Sequence, residues 1–571
     1  MKALLIAINS KYIHTALGIR SICAYCRQQG QQIDCLEETI QTPILAVLSS
    51  ITASGAQVIG FDVHIWNRTY VMKLVALVRQ VLPEAIICLG GPEVSFTPEL
   101  ALRSCPAAQY IIQGEGEEVF AQLLQALTQQ NVNIPPHVSY RYNGKLILST
   151  PAYVENLDDL PFPYDDLPLL VAEHKMVYYE SSRGCPFHCS YCLSGISHRV
   201  RKRSPHLVMK ELDAMAAAGI DLVKFVDRTY NLDENYYLPI LRHLTGQKEK
   251  ICYHLEVKAD LLSEEALRFF STAPQGRFQM EIGVQTTNPQ TLAAIGRQDN
   301  WSKLSSNVQE LVRVGKEHIH LDLIAGLPYE NFLSFWVSFN DVYALKPQML
   351  QLGFLKVLPG SLMSKQTQEH KLLYMQDEPY EILATKYLSY EELRFLKVLE
   401  DVFDHTYNTG KFSHTLAYLV ENIAQGDAFK FYTHLTNWWI EHKLYPQAHS
   451  VKNMVLLLLE YAQDNLLQVE EFKEILKFDV FMGLPNYRPS ALPWHNQELR
   501  EQINIFWKNK ALGKYVVDYQ FSTWNNVRKY MPLELFKWQP SMGYGMDYYI
   551  MADYRNDQGN YYIIDKKDLE E

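Results

Sequence analysis

The chain reads as an α/β protein in three parts: a doubly wound parallel sheet, a partial (β/α)6 barrel, and a mostly helical remainder. Three observations predict this. Short apolar runs alternate with amphipathic helical stripes over residues 1–133 and do so again over residues 176–370. A stretch rich in Pro and Asp, residues 134–175, separates the two series and reads as a linker. From residue 371 to 571 the pattern turns helical, then short and aromatic-rich. At 571 residues the chain is too long for one core, so several domains are expected.

Composition narrows the class. An apolar fraction of 47% and a charged fraction of 20% are those of an ordinary soluble chain. The net charge of −11 argues against a general nucleic-acid binder. The opening MKALLIAINSKY turns polar after a few apolar residues and reads as a buried strand, not a signal peptide. No apolar stretch is long enough to span a bilayer, and VLLLLE near residue 455 is far too short. Nine cysteines, three of them in one motif, suit a reducing cytoplasm better than a disulfide scaffold.

In the first part the strands are Ala3–Ile8, Gln57–Phe61, Ala85–Leu89 and Tyr110–Ile112. Val71, Leu74, Val75 and Val78 fall at i, i+3, i+4 and i+7, the stripe of a helix lying on a sheet. Ligands of such sheets sit at the carboxyl edges of the strands. Two glycine turns occupy those edges, Gly90-Gly91-Pro92 and Gly114-Glu115-Gly116-Glu117, where a backbone without side chains can approach a large flat ligand. Cys23 and Cys26 read as helix-packing thiols.

Within the linker Asn143-Gly144 is a hairpin turn. The barrel opens with Met176–Ser181. Ser204 and Pro205 start a helix whose buried face is Val208, Leu212 and Met215, and Gly219 ends it. Strands Leu222–Val226, Cys252–Val257, Phe278–Val284, Ile319–Ala325 and Leu350–Val357 follow. In the last third TNWWIEHKLY and NMVLLLLEY read as buried helices. Asp547–Tyr554 and Asn560–Asp565 read as a hairpin turning on Asn556–Gly559. No catalytic constellation stands out there, and its Tyr and Trp residues are assigned to packing.

The most informative run is Cys185-Pro-Phe-His-Cys189-Ser-Tyr-Cys192, directly after the first barrel strand. Three thiolates at this spacing can hold three corners of a [4Fe–4S] cube and leave the fourth iron open to a small molecule. Zinc is the alternative, with His188 and His198 within reach along the chain.

This run resembles the cluster motif of the radical S-adenosylmethionine (SAM) superfamily, with Tyr191 as the aromatic before the last Cys. The resemblance implies that SAM completes the open iron and is cleaved to a 5′-deoxyadenosyl radical. It also assigns the strand ends. Asp227 would accept the SAM ammonium, Glu256 the ribose hydroxyls, and Gln285 would be a further SAM contact. Within Asp322–Pro328, Ile324 would pack on adenine and Gly326 give it room, although the common pattern begins with Gly where this chain has Asp322. The basic run Arg199–Arg203 reads as a solvated or SAM-carboxylate-facing stretch. LKVLPG (Leu355–Gly360) is similar to the sixth-strand segment of the cobalamin-dependent branch.

Residues 1–133 resemble the cobalamin-binding domain of that branch, the likeness being carried by Gly90, Gly91, Gly114 and Gly116. The loop Asn9–His14 lacks the Asp-x-His-x-x-Gly that ligates cobalt. Asp62-Val63-His64 follows a later strand, so no protein histidine is expected on cobalt, and His64 is assigned to the pocket edge. The implied cofactors are the [4Fe–4S] cluster, SAM and cobalamin. The implied partners are a flavodoxin or ferredoxin donor and a small-molecule or peptide substrate that the sequence leaves open. The implied reaction is methylation of an unactivated carbon in an anaerobic cytoplasm. A radical cyclase or rearrangement and a non-enzymatic cobalamin-binding regulator are the alternatives. A transfer-RNA methylthiolating enzyme would need a second cysteine triad, which Cys23, Cys26, Cys35, Cys88 and Cys105 do not supply.

Overall fold

The computed structural model describes residues 1–129, 134–196, 199–484, 492–493, 506, 512–516, 529–555 and 560–569. They fall into two compact units, Met1–Pro347 with Gln351–Leu393, and Gln348–Leu350 with Arg394–Glu571.

The first unit opens with β1 (Ala3–Asn9), buried along its whole length. Leu4, Ile6 and Ile8 belong to one core, with Val71, Leu74, Val75 and Val78 of the helix Arg68–Val81. Leu5 and Ala7 belong to the core on the other face, with Ile19, Val119 and Phe120. A strand covered on both faces needs this continuous apolar run. With β2 (Ile33–Thr39), β3 (Val58–Asp62), β4 (Ile86–Gly90) and β5 (Tyr110–Ile112) it forms a parallel sheet in the order β2-β1-β3-β4-β5. The order reverses between β1 and β3, which marks the ligand edge of a doubly wound sheet.

Three expectations need correction here. β2 escaped notice because it is an edge strand carrying Asp34, Glu37 and Glu38, and charge on an edge discourages pairing with other chains. Cys23 is more than a packing thiol: it forms a disulfide with Cys35, tying the helix Leu17–Gln28 to β2, whereas Cys26 is a free, buried thiol. The supposed linker is partly sheet. β6 (Val138–Tyr142) and β7 (Lys145–Ile147) turn on Asn143 and Gly144, both at positive φ, and extend β5 antiparallel.

β8 (Val177–Tyr179) begins the barrel. β9 (Ser182–Arg183) and β10 (Arg201–Lys202) pair antiparallel and close the base of the cysteine loop. β11 (Leu222–Phe225), β12 (Cys252–Glu256), β13 (Phe278–Gln285), β14 (His318–Ala325) and β15 (Met349–Phe354) complete a six-stranded sheet in the order β15-β14-β13-β12-β11-β8. Ser204 precedes the helix Pro205–Ala218 and Gly219 ends it at φ +90°, as predicted. The Ser204 hydroxyl donates to Asp158 rather than capping.

Along β13 and β14 buried apolar residues alternate with partly exposed ones. The second set is polar apart from Gly283 and Ile324. On that side Glu281 Oε2 accepts from Lys224 Nζ at 3.1 Å and meets His254 Nε2 at 2.9 Å, and the His254 hydrogen bond leads in holding its pKa down to about 2. A short hairpin, β16 (Leu373–Tyr374) and β17 (Ile382–Ala384), follows the barrel. Ile382 N donates to Leu355 O at 2.9 Å, so the first unit ends near residue 393, not 370.

The second unit contains the helices Ser413–Ala424, Ala428–Glu441, Val451–Asn465 and Val469–Gly483. Trp439, Tyr432 and Tyr461 are wholly enclosed, in keeping with a packing role. An antiparallel sheet of β18 (Leu533–Gln539), β19 (Gly543–Asp553) and β20 (Asn560–Ile564) packs Phe536, Tyr548 and Ile550 against Phe478 and Phe481. β19 and β20 are the expected hairpin, β18 adds a strand, and the turn Asn556–Gly559 lies outside the described residues. Among the described residues no helix is long and apolar enough to cross a membrane.

Candidate functional site

The cysteine loop is held by its own backbone. Gly184 has φ +105°, and a Cβ there would lie 2.3 Å from Arg199 O, so only glycine lets the loop turn out of β9. Ser190 N donates to Ile295 O at 2.9 Å, and Met363 N donates to Ser190 O at 2.7 Å. Cys185, Cys189 and Cys192 are free thiols, each partly buried. Burial pushes the Cys189 thiol up, Arg297 opposes this, and the neighbouring Cys192 and Cys185 add to the rise. Three soft thiolates on one loop fit an iron–sulfur cube, in which each sulfur takes a separate iron. His198, the more distant zinc candidate, lies outside the described residues.

The strand-end residues differ in how far their side chains are already engaged. Asp227 is buried and its carboxylate is already engaged, accepting from Ser181 N at 2.9 Å and from the Ser181 and Ser182 hydroxyls at 2.6 Å each. Burial raises its pKa to about 6 against the pull of those donors. It braces the segment leading into the cluster loop. Glu256, at the end of β12, lies 3.5 Å from Arg228 Nη1, and burial raises its pKa. Gln285 ends β13 at φ +68° beside a register shift, its Oε1 buried with no hydrogen-bond partner. Ile324 lies on the polar side of β14. Gly326 has φ +90°, and a Cβ there would lie 2.8 Å from Ile382 Cγ2.

Sequence reasoning missed Arg297. It ties the loop to β13: Nη1 donates to Tyr191 OH at 3.0 Å, Nη2 to Gly283 O at 2.8 Å, and Nε to Asp299 Oδ2 at 2.7 Å. Asp299 also takes Lys258 Nζ at 2.5 Å. Nothing in the run Gly296–Asp299 distinguishes it from an ordinary loop, so only the fold reveals the contact.

A cavity of about 550 Å³ opens at the carboxyl edges of the first sheet and reaches Tyr178, Glu180 and Arg183 beside the cluster loop. Gly90, Gly91, Gly114 and Gly116 all line it. Their reasons differ. A Cβ on Gly90 would meet nothing closer than 4.0 Å, leaving its face open to a ligand. Gly91 (φ +94°) and Gly114 (φ +76°) are required by the chain itself, since a Cβ would fall 2.6 Å from Val63 O and 2.4 Å from Ala152 O. His64 is at the rim as expected. It stacks on Trp66 with ring centres 4.2 Å apart, and its Nε2 meets Asp62 Oδ2 at 2.9 Å. Burial works against its protonation, but Asp62 outweighs that and raises its pKa.

The basic run is solvated only at Arg199, and its inner arginines are engaged by the protein itself. Arg201 and Arg203 are buried. Arg201 grips Glu115, while Arg203 holds Glu211 at 2.7 Å and the carbonyls of Leu157 and Leu160. Arg199 is paired with Glu155 at the surface.

The chain thus joins a doubly wound domain, whose strand edges open on a cavity, to a six-stranded barrel that carries a three-thiol loop. Residues 3–124 match the B12 binding domain, and residues 179–342 match the radical SAM superfamily. The chain therefore combines a B12-binding domain with a radical SAM domain. Residues 368–544 match a third model, described as a protein of unknown function (DUF4080). The cobalamin-dependent radical SAM methyltransferase TokK of Streptomyces tokunonensis is 25% identical over 300 residues, 49% of this chain and 43% of TokK. The anaerobic magnesium-protoporphyrin IX monomethyl ester cyclase of Synechocystis sp. is 27% identical over 267 residues, 44% of this chain and 52% of the cyclase. The chain thus spans about half the length of these relatives. Its fold is that of the cobalamin-dependent SAM radical enzyme OxsB, solved with aqua-cobalamin and SAM bound. The TM-score is 0.62 at 16% identity, over 83% of this chain and 78% of that one.

Proposed function

We propose that this chain is a radical SAM enzyme that cleaves SAM reductively at a [4Fe–4S] cluster and, with cobalamin, methylates an unactivated carbon. The observation that carries the proposal is the placement of the cysteine loop beside a large cavity lined by the glycine turns of the first sheet. With the cluster on Cys185, Cys189 and Cys192 and a corrinoid in the cavity, the chemistry supplied is one-electron reduction of SAM and carriage of a methyl group.

The residues supply position and exclusion. Glu256 is the acceptor at the β12 end for the ribose hydroxyls, and the unpartnered Gln285 Oε1 is a buried acceptor in want of a donor. Ile324 and Gly326 form the adenine wall. Behind them Glu330, enclosed and raised by burial to about 7, accepts from Thr286 Oγ1 at 2.6 Å and Ser338 Oγ at 3.1 Å and fixes the turn after Gln285. Gly90 gives a flat ligand its approach, and the His64–Trp66 stack covers the cavity rim. An enzyme of this kind works in an anaerobic cytoplasm and draws its electron from a flavodoxin or ferredoxin. Similarity to the magnesium-protoporphyrin cyclase favours ring closure as the second reading.

The test is anaerobic reconstitution. The protein should take up about four irons and four sulfides per chain, the content of one cluster, and cleave SAM under reductant. A labelled SAM methyl should then appear in product. Cleavage without label in product would favour the cyclase reading, and cleavage by Cys185→Ala would overturn the assignment.

A further inference from the structure

The turn Gly114-Glu115-Gly116-Glu117 has two faces. The turn lines the cavity, and its carboxylates reach the arginines at the base of the cysteine loop. Arg183, two residues before Cys185, places Nη1 3.0 Å from Glu115 Oε2 and Nη2 2.9 Å from Glu117 Oε1. Its Nη2 also lies 2.7 Å from Glu180 Oε2. Arg201 stands opposite Arg183 in the β9–β10 pair, and its two terminal nitrogens reach Glu115 at 2.8 and 2.5 Å. Ser21 Oγ donates to Glu117 Oε1 at 2.9 Å, and Val154 N to Glu115 Oε2 at 2.7 Å. Both ends of the cluster loop are therefore fastened to one turn of the other domain.

These side chains are nearly sealed from water, with exposures of 17% for Arg183, 5% for Arg201, 14% for Glu115, 5% for Glu117 and 21% for Glu180. Burying five charges is costly, and apolar residues of similar size often stabilise a fold as well or better. Stability alone does not explain such a cluster. Its directionality does, because forked guanidinium–carboxylate pairs fix distance and angle together. The place where it fixes them is the wall between the cavity and the cysteine loop.

Resting on the function proposed above, we infer that Arg183 and Arg201 with Glu115 and Glu117 form an ionic clamp that sets the spacing and orientation of the cluster relative to the corrinoid. They are positioning residues. They hold neither cofactor, and each cofactor remains bound when the clamp is loosened, but the two are no longer aligned.

The experiment uses the reconstituted holoprotein carrying cob(II)alamin and the reduced cluster. In the native protein the two paramagnets are expected to interact, the cluster speeding relaxation of the cobalt signal in electron paramagnetic resonance. The double variant Arg183→Gln with Glu117→Gln removes one charge of each sign and keeps the Arg201–Glu115 pair, while Glu180 loses its cation and keeps only the introduced amide as a donor. It is expected to keep native iron and corrinoid contents. The cobalt relaxation enhancement should fall severalfold and kcat for methyl transfer about tenfold, with KM for SAM unchanged. Arg183→Lys keeps the charge without the fork and should fall between, and it decides the matter alone if the double variant does not fold. Unchanged relaxation in a variant holding both cofactors overturns the clamp, as does loss of either cofactor from the double variant. A native protein that takes up no corrinoid overturns the functional reading itself, and that outcome is visible before any variant is made.

Discussion

Replacing Asp227 by Asn isolates the energetic cost of one buried carboxylate. The amide fits the existing partners: its oxygen can accept from Ser181 N, and its nitrogen can donate to the Ser181 and Ser182 hydroxyls, which rotate to accept. The charge is what changes. Burial raises Asp227 from 3.8 to about 6, a difference of about 3 kcal/mol between its protonation states. Because the folded pKa lies above the unfolded one, the protonated acid favours folding. That stability is fully present below pH 3.8 and is lost as pH rises through about 6. About half of it has gone by about pH 5 and nearly all by about pH 8, so on the order of 1–2 kcal/mol separates the two conditions. Asn pays none of this. Urea unfolding of native and Asp227→Asn protein at both pH values should show the Asn variant gaining on the order of 1–2 kcal/mol relative to native between them. A difference independent of pH, or an equal loss at both values, would refute the burial argument.

Other perturbations follow the same logic. Glu330→Gln should leave stability little changed at acid pH and raise it above pH 7, since burial lifts Glu330 to about 7 and its ionised form is the one the fold disfavours; thermal melts across that range report it. Gly114→Ala, with φ +76° and its Cβ 2.4 Å from Ala152 O, should cost about 1–3 kcal/mol and weaken corrinoid uptake through the distorted turn, read by melting and by the bound optical spectrum. Arg297→Gln should make the cluster harder to reduce, because a buried cation that acts on Cys189 is lost, and Arg297→Lys should recover much of the shift in a redox titration.

The parts of this molecule legible in the sequence are those whose signal is short-range. Cys185, Cys189 and Cys192 lie within one loop, the strand-end carboxylates follow apolar runs, and Val71–Val78 shows its helical period directly. Contacts between distant segments leave no such trace. Arg201 and Glu115 are 86 residues apart, so a basic run that fastens two domains looks like a solvated one. Arg297 meets Tyr191 across 106 residues, and Glu281 meets Lys224 across 57. β2 was hidden by its edge charges, and β6 and β7 by the turn chemistry that made their surroundings look like a connector. The Cys23–Cys35 pair depends on how a helix lies along an edge strand, which spacing alone does not determine.

The central claim is that three sulfurs leave one iron free for SAM. Mössbauer spectroscopy of the reconstituted protein, with and without SAM, tests it most directly. A single iron of the cube should change its signal when SAM is added, and Cys185→Ala should hold no cube to change. Spectra that SAM leaves untouched, or an intact cube in the variant, would contradict the account.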